Sequence, residues 1–450
     1  MYSLVSDPVG NSPKPLEADA GDGRRRTTTV VAILTLYLFL LMAIPADLVF
    51  SPLGAAGRPA SMFALLVFVI YLGMWLRPSS VLDRRRQPIR LVIVLFACVM
   101  VASYASANRH LLPVLVKNAA DRGLIYLFGW LGILLLAADG IESVAALRTV
   151  LRRQVFGATA VALVGIMEFI SRINVTNYIR LPGLVAQAPV TDLTVRGGLD
   201  RVYSTTSTPI EFGAVVVMTI PFALHQARFA SSDKRVLRWL QVAALALAAP
   251  LSVSRSAILA LIIIAIVLIP TWSRKERRIA YISISAGFVA FLVLLPSLIN
   301  TIANLVINIG SDSSAQSRTK AIAMSWSYIS QHPWLGHGFG TFLPQTYFFV
   351  DDQYLTSTIE TGFIGLLALI MIFVAGLAIA RSARRRTVGA EGRHLAQCMA
   401  ASIAAAAISF SDYDALAFSM ATGLTFLLLG CCGAYWRLSS GARFEAHVHS

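Results

Sequence analysis

Long apolar segments constrain this chain more than any other feature. A membrane-spanning helix requires about 20 predominantly apolar residues, and such segments recur along most of the 450-residue sequence. Charged residues make up only 14% of the chain, whereas soluble domains carry about 25%. The pattern predicts an all-α polytopic membrane protein with about 12 transmembrane helices, near residues 29–50, 59–76, 89–107, 121–138, 155–171, 209–226, 236–252, 255–271, 279–299, 353–380, 394–410 and 413–435.

The positions of the basic residues predict the topology. Most of the 38 lysines and arginines fall in segments that lie on one side of the predicted spans, which is the cytoplasmic side by the positive-inside rule. The net charge of +15 is then explained by topology, and nucleic acid is excluded as a partner. We therefore expect a disordered cytoplasmic tail over 1–28, a single transmembrane domain over 29–435, and a cytoplasmic C-terminal tail over 436–450.

Two outer loops are long, at about 172–208 and 300–352, whereas most other outer turns are short. Binding residues are concentrated in long loops that a rigid scaffold positions. The outer side also holds the basic residues that the topology rule disfavours, which are Arg58, Arg109, Lys117, Arg122, Arg172, Arg180, Arg196, Arg201, Arg255, Arg318 and Lys320. We expect the functional site on this side, formed by these two loops.

Two of these arginines have the sequence context of phosphate ligands. Arg201 precedes a run of Ser and Thr before Pro209, which can open a helix. Arg255 lies in LSVSRSAIL, in a short hairpin next to a predicted helix N-terminus. A planar guanidinium beside a positive helix end suits phosphate, although an arginine that only reaches the membrane interface is the alternative. Arg318 and Lys320 open a predicted amphipathic helix, which could equally be a solvated face.

The segment HPWLGHGFGTF contains three closely spaced glycines. Their spacing predicts a tight turn with close backbone approach and matches no nucleotide-binding glycine pattern. His332 and His337 could act as acid–base groups or could simply pack in the loop, and their spacing does not indicate a metal site. The four cysteines lie in apolar segments and indicate neither disulfides nor a metal site.

The segment DDQYLTSTIETGFIG places polar side chains on one helical face. Gln353, Thr356, Ser357 and Glu360 recur at helical spacing, so they should face the bundle interior or a wet cavity. Asp351 and the following Asp352 would stand at its mouth, where a carboxylate could act as a general base or cap the helix. Weaker candidates near outer span ends are Glu168, Glu211, Asp412 and Asp414.

The order of these motifs resembles the O-antigen ligase and polymerase superfamily. An Arg before a mid-chain span, a Ser-Arg hairpin, HPWLGHGFGTF and a Gly-x-x-Gly at a span start follow one another. The resemblance implies a GT-C-like glycosyltransferase of the cytoplasmic membrane that acts on its outer face. The implied donor is a glycan on polyprenyl pyrophosphate, the implied acceptor is a glycan or lipid-linked glycan, and no metal or other cofactor is expected. By motif position, Arg201 and Arg255 would hold the pyrophosphate.

One departure from the family pattern bears on the reaction. Ligases of the family carry a His followed by Asn, Ser or Gln before the Gly-x-x-Gly motif. Here Gly362 and Gly365 match, but Asp351 and Asp352 occupy the first two positions, which favours a polymerase over a ligase.

The leading hypothesis assigns catalytic roles to Asp351, Arg255 and Arg201, with substrate-binding roles for Arg318, Lys320, His332, His337, Gln353 and Glu360. The alternative is a transporter or flippase for an anionic lipid-linked glycan, which would bind the same substrate without making a bond. A scaffolding protein would leave the long outer loops without a purpose.

Overall fold

The computed structural model describes residues 18–77, 82, 87–187, 193–196, 198–294 and 313–448, which are mostly helical. Within these residues the α-helices are α1 (Ala18–Ala43), α2 (Pro59–Leu76), α3 (Pro88–Ala107), α4 (Val114–Gly140), α5 (Val144–Ser171), α6 (Pro209–Arg228), α7 (Arg235–Leu251), α8 (Arg255–Leu268), α9 (Arg274–Leu294), α10 (Ser313–Gln331), α11 (Gln353–Arg386), α12 (Ala390–Ser409) and α13 (Ser419–Val448). Short 3-10 turns lie at Ser51–Gly57, Val175–Tyr178, Ser232–Lys234, Ile269–Thr271 and Ala415–Ala417.

Two small antiparallel strand pairs order the loop between α5 and α6. β1 (Leu48–Phe50) pairs with β2 (Leu184–Ala186), with Leu48 opposite Ala186. β3 (Val195–Arg196) pairs with β4 (Leu199–Asp200). The first pair fixes this loop against the segment that follows α1.

Seven of the described helices are long and apolar enough to cross a membrane: α2, α3, α4, α5, α6, α11 and the first 21 residues of α13. Shorter apolar helices cover Thr29–Ala43 and Arg255–Thr271. The prediction of a polytopic helical membrane protein is therefore confirmed, while the count of twelve spans stays a prediction. Parts of three predicted regions lie outside the described residues. They are residues 1–17 of the tail, the arginines Arg84, Arg85 and Arg86, and residues 295–312 of the ninth span and second long loop.

Close helix packing forms one apolar core around α4, which contacts α2 on one side and α13 on the other. Glycines permit this approach. A Cβ on Gly132 would lie 2.6 Å from the backbone of Phe68 in α2, and one on Gly430 would lie 2.5 Å from the carbonyl oxygen of Leu134. Small residues at helix contacts let backbones approach in this way. The ring of Trp130 stacks on Phe426 at 5.2 Å between centroids, which joins α4 to α13.

The longest helix, α11, contains a break. Its 34 residues would extend about 51 Å, against a bilayer hydrocarbon core of about 30 Å. Gly362 has φ +66° and ψ −171° inside this helix, a conformation that glycine adopts readily. The break divides α11 into a short segment, Gln353–Thr361, and a long apolar segment, and the short segment forms part of the candidate site.

Candidate functional site

The HPWLGHG segment supplies the hydrogen bonds that α11 loses at its break. The N–H groups of Phe363 and Ile364 donate to the carbonyl oxygens of Pro333 (2.8 Å) and Trp334 (3.4 Å). In return, the N–H groups of His337 and Gly338 donate to the carbonyl oxygens of Ile359 (3.0 Å) and Glu360 (2.8 Å). A buried backbone polar group requires such a partner. The segment therefore replaces one turn of the helical hydrogen bonding.

Glycines make this exchange sterically possible. A Cβ on Gly336 would lie 2.3 Å from the carbonyl of Glu360, and one on Gly362 would lie 2.3 Å from the carbonyl of Trp334. Gly336, Gly338 and Gly340 all have positive φ. The Ser103 hydroxyl of α3 donates to the carbonyl oxygens of Leu335 (2.8 Å) and Glu360 (3.0 Å). The predicted tight glycine turn with close backbone approach is confirmed.

Asp352 caps the start of α11. Its Oδ1 accepts hydrogen bonds from the N–H groups of Tyr354 (2.8 Å) and Leu355 (3.1 Å). The capping interpretation therefore holds for this residue, as the N-cap position requires an acceptor side chain. Asp351, one residue earlier, is exposed and lines a cavity.

The polar face of α11 is buried, as predicted. Gln353, Thr356, Ser357 and Glu360 are each at most 7% exposed. The Gln353 side chain accepts a hydrogen bond from the N–H of Leu416 (2.7 Å), and Glu360 Oε1 accepts one from the N–H of Phe342 (3.0 Å). These two side chains thus tie the outer segment of α11 to the loop before α13 and to the loop before α11.

A cavity of about 780 Å³ opens where these elements meet. Its wall combines residues of α4, α6 and α11 with the loops that precede α2, α6, α11 and α13. Its polar and charged lining residues are Asp47, Arg58, Arg122, Asn174, Thr176, Gln187, Thr206, Ser207, Thr208, Gln345, Asp351, Gln353, Thr356, Glu360 and Asp414. Aromatic residues, among them Tyr126, Trp130, Tyr203 and Tyr413, complete it. All of these elements lie at the end of the bundle that the topology predicts to be outer.

Both signs of charge line the cavity. Arg58 and Arg122 supply guanidinium groups, and four carboxyl groups come from Asp47, Asp351, Glu360 and Asp414. Burial and the nearby charge of Asp351 raise the pKa of Asp414 to about 7. Burial also raises the pKa of Asp47, partly offset by Arg58. The cavity therefore holds two permanently charged guanidinium groups beside carboxyl groups that differ in pKa. Carboxyl groups with different pKa values can take separate acid and base roles.

Arg201 contacts the neighbouring hairpin that carries Arg255, and neither arginine is among the lining residues of the cavity. Arg201 Nε donates to the carbonyl oxygen of Ser252 (3.1 Å), and Arg255 begins α8 three residues later. Asp412 Oδ2 accepts a hydrogen bond from the N–H of Ser256 (3.0 Å) at the N-terminus of α8. That helix end, which the sequence suggested for phosphate, is thus partly capped by a carboxylate. Tyr203, two residues after Arg201, does line the cavity.

The remaining predicted substrate-binding residues lie on the segment before α11. Arg318 and Lys320 lie on α10, where Lys320 is exposed. His337 Nε2 donates to the carbonyl oxygen of Tyr328 (3.0 Å), and burial lowers the pKa of His337. The ring of the exposed His332 packs edge-on against that of His337, at 4.7 Å between centroids. Neither histidine is among the residues that line the cavity.

Two of the weaker candidates anchor loops. Glu168 accepts hydrogen bonds from the N–H groups of Val175 (3.1 Å), Tyr203 (3.0 Å) and Ser204 (2.7 Å). Glu211 accepts them from the N–H groups of Ser207 (2.8 Å), Met420 (2.7 Å) and Ala421 (3.1 Å). These carboxylates hold the loop before α6 and the start of α13 in position. The cavity is shaped by residues that do not themselves line it.

Sequence reasoning did not assign Arg58, Arg122 or Asp47 to the site and gave Asp414 little weight. Arg58 and Arg122 were visible as basic residues on the side that the positive-inside rule disfavours, and that signal would have found them. Asp414 lies about 60 residues after Asp351, beyond an entire helical hairpin. No local pattern brings those two aspartates together.

Comparison with known proteins tests the family. The family model described as O-antigen ligase matches residues 240–370. This match supports the resemblance to the O-antigen ligase and polymerase superfamily. The ligase domain runs from α7 through the break in α11, and it contains Arg255, the HPWLGHG segment, Asp351 and Glu360. No curated protein matches the chain. The match indicates a glycan-handling membrane enzyme of the ligase or polymerase type.

Proposed function

We propose that this protein is a glycosyltransferase that polymerises or ligates glycan units carried on polyprenyl pyrophosphate, at the outer face of a bacterial cytoplasmic membrane. The observation that carries the proposal is the cavity, because it joins carboxylates of the ligase domain to two arginines from outside that domain. Its volume of about 780 Å³ falls within the range of about 300–1,000 Å³ typical of small-molecule sites. Its hydroxyl, amide and aromatic lining suits sugars.

The reaction that fits these groups is a displacement at the anomeric carbon of the donor. A hydroxyl of the acceptor glycan forms the new carbon–oxygen bond while the bond from the anomeric carbon to the pyrophosphate oxygen breaks. The pyrophosphate departs with the electron pair, and Asp351 takes the proton of the hydroxyl. Asp351 suits this role because it is exposed within the cavity, whereas Asp352 is engaged as a helix cap.

Arg201 and Arg255 are proposed to stabilise the charge that develops on the leaving pyrophosphate. Arg201 bonds to Ser252 in the α7–α8 hairpin, three residues before Arg255. The outward face of these two helices exposes Leu247, Leu259 and Ile262. A polyprenyl tail could lie in the bilayer along that face while its pyrophosphate reaches the arginines. The attached sugars would then extend past Tyr203 into the cavity, towards the base.

Arg58 and Arg122 are proposed to bind the glycan part of the substrate. Guanidinium groups bind carboxylate or phosphate substituents in bidentate fashion. Their location in the same cavity as Asp351 means that they would contact sugar rather than lipid. Lys320 and His332, which are exposed on the preceding segment, together with Arg318 and His337, remain proposed contacts for a long acceptor chain.

The Asp at the position of the ligase histidine favours polymerisation of repeat units over ligation to a lipid core. The proposed reaction uses no metal ion and no nucleotide sugar, because the donor already carries its leaving group. Omitting divalent ions from the assay should therefore leave turnover unchanged.

The test uses purified full-length protein with a polyprenyl-pyrophosphate oligosaccharide. Longer lipid-linked products are expected from a polymerase, and transfer to a separate acceptor from a ligase. Arg255→Ala should abolish the product while the protein still inserts and purifies normally, with Arg109→Ala as the matched control on the same side. Substrate binding without any bond formation would instead support the transporter, and wild-type product lengths in Arg255→Ala would refute the role of Arg255.

A further inference from the structure

We propose that His225, His394 and Cys398 form a binding site for a transition metal ion of the Zn²⁺ type, at the end of the bundle opposite the cavity. His225 lies in the last turn of α6, and His394 and Cys398 lie one helical turn apart near the start of α12. One ligand atom from each of the three lies within 4.8 Å of the other two. This site is independent of the glycosyl transfer proposed above.

The distances suit a metal ion. His225 Nδ1 and His394 Nδ1 are 3.1 Å apart, and Cys398 Sγ lies 3.4 Å from His394 Nδ1. Bonds of about 2.0 Å to nitrogen and 2.3 Å to sulfur around a tetrahedral ion separate two nitrogen ligands by about 3.4 Å and a nitrogen–sulfur pair by about 3.6 Å. Movements of a few tenths of an ångström would bring these two pairs to coordination distances, and the third pair, His225 with Cys398, already lies within 4.8 Å.

Protons alone satisfy these three groups poorly. If His394 Nδ1 carries a proton, it can donate to His225 Nδ1, and the thiol of Cys398 has no acceptor at this nitrogen. If His394 Nδ1 carries no proton, its single lone pair can accept from either His225 Nδ1 or the Cys398 thiol, but not from both. All three side chains are at most 7% exposed, so water cannot compensate freely. A metal ion would accept all three lone pairs together, with the sulfur bound as thiolate.

The surroundings combine two ion pairs with aromatic rings. Arg148 and Arg228 lie near His225, but each forms an ion pair, with Glu391 (3.0 Å) and Glu276 (2.6 Å) respectively. Their repulsion of a cation is therefore offset. The ring of Trp272 stacks over His394 at 6.2 Å, and Phe229 packs edge-on against it at 5.6 Å. An apolar shell of this kind limits solvent access to a metal site.

The ligand chemistry indicates which ions fit. Two imidazoles and one thiolate suit Zn²⁺ and other borderline or soft ions, and exclude Mg²⁺ and Ca²⁺, which prefer oxygen. Three protein ligands leave a fourth position for water. Both helices continue to the cavity end, where α6 carries Glu211 and α12 ends just before Asp412. An ion bound between them would hold α6 and α12 together.

The test measures metal content and cobalt spectra of full-length protein purified in detergent, under reducing conditions and without a histidine tag. After exposure to Zn²⁺ and removal of unbound ion, wild type should retain about one zinc per chain, and Cys398→Ser should retain at least about tenfold less. Cys431→Ser is the matched control, since Cys431 is equally buried and lies outside the cluster; it should bind zinc as wild type does.

Cobalt distinguishes coordination from loss of fold. Wild type with Co²⁺ should show a sulfur-to-cobalt charge-transfer band and the strong visible bands of a tetrahedral ion. Cys398→Ser should lose the charge-transfer band while it elutes from gel filtration as wild type does. Wild-type protein that retains no zinc above the level of Cys398→Ser, or that shows no charge-transfer band with cobalt, would overturn the proposal.

Discussion

The backbone N–H of Gly338 donates a hydrogen bond of 2.8 Å to the carbonyl oxygen of Glu360. In an uninterrupted helix that carbonyl would accept from Ile364, whose N–H is instead directed to Trp334. The glycine-rich segment therefore holds the backbone at Glu360, whose side chain lines the cavity. This contact connects the most conspicuous sequence motif to the carboxyl groups of the cavity.

Gly362→Ala should destabilise the protein by about 3 kcal/mol or more, since a Cβ there combines unfavourable positive φ with a clash at 2.3 Å against the Trp334 carbonyl. The measurement is the midpoint of thermal unfolding in detergent. Gly73→Ala is the matched control, because a Cβ at Gly73 meets nothing within 4 Å inside α2, and its midpoint should stay the same or rise. Equal midpoints for wild type and Gly362→Ala would contradict the steric role of the break.

Asp351→Asn should lower the transfer rate by about 10²–10⁴-fold, the usual range for loss of a general base. Substrate binding should change little. The adjacent variant Asp352→Asn provides the comparison, because Asn also serves as an N-cap and should keep most of the activity. Rates are measured with the same lipid-linked oligosaccharide for both variants. If Asp352→Asn lost activity and Asp351→Asn kept it, the assignment of the two aspartates would have to be exchanged.

Asp414 makes the stability of the protein depend on pH. Its pKa is about 7 in the folded state and about 3.9 in an unfolded chain, so the folded protein binds the proton more tightly. The stability that this proton contributes is complete below pH 4 and is lost progressively as the pH rises towards 7. Asp414→Asn should therefore gain in unfolding midpoint relative to wild type between pH 4 and 7, with a constant difference above that range. A difference that does not vary with pH would show that folding does not raise the pKa of Asp414.

Glu168→Ala should destabilise the loop before α6, by about 3 kcal/mol, because two buried N–H groups and one partly buried N–H group lose their acceptor. Glu168→Gln keeps one acceptor oxygen and should cost less. Limited proteolysis between residues 172 and 208 provides the readout, with faster cleavage expected for Glu168→Ala. Unchanged cleavage would mean that the strand pair β1–β2 holds the loop by itself.

Helix positions were predictable because the hydrophobic pattern of a membrane helix is local. Pro209 begins α6 as expected, and the polar stripe from Gln353 to Glu360 is buried as its spacing indicated. Transfer of apolar side chains from water determines these features, and each can be read within one window of the sequence. The tight glycine turn was predictable for the same reason, since glycine itself adopts positive φ readily.

The composition of the cavity could not be predicted in the same way. Asp47 and Arg58 reach it from the connection between α1 and α2, Arg122 from α4 and Asp414 from the loop before α13. The proximity of these three segments depends on how the helices pack. Nor could spacing decide between base and cap at Asp351 and Asp352, because both residues precede α11. Only the geometry at Tyr354 and Leu355 distinguishes them.

The segment between α12 and α13 completes the wall of the cavity. The cavity can therefore form only after this late part of the chain has been synthesised. The carbonyl oxygen of Ala417 accepts from Arg58 (3.4 Å), and Leu416 and Met420 donate to Gln353 and Glu211. A ribosome releases these partners only after almost the whole polypeptide has been made. A nascent chain that ended at residue 410 would contain the complete ligase domain and every motif that identifies it. It would nevertheless lack a finished cavity, so we expect the proposed glycosyl transfer only after the final hairpin has entered the membrane.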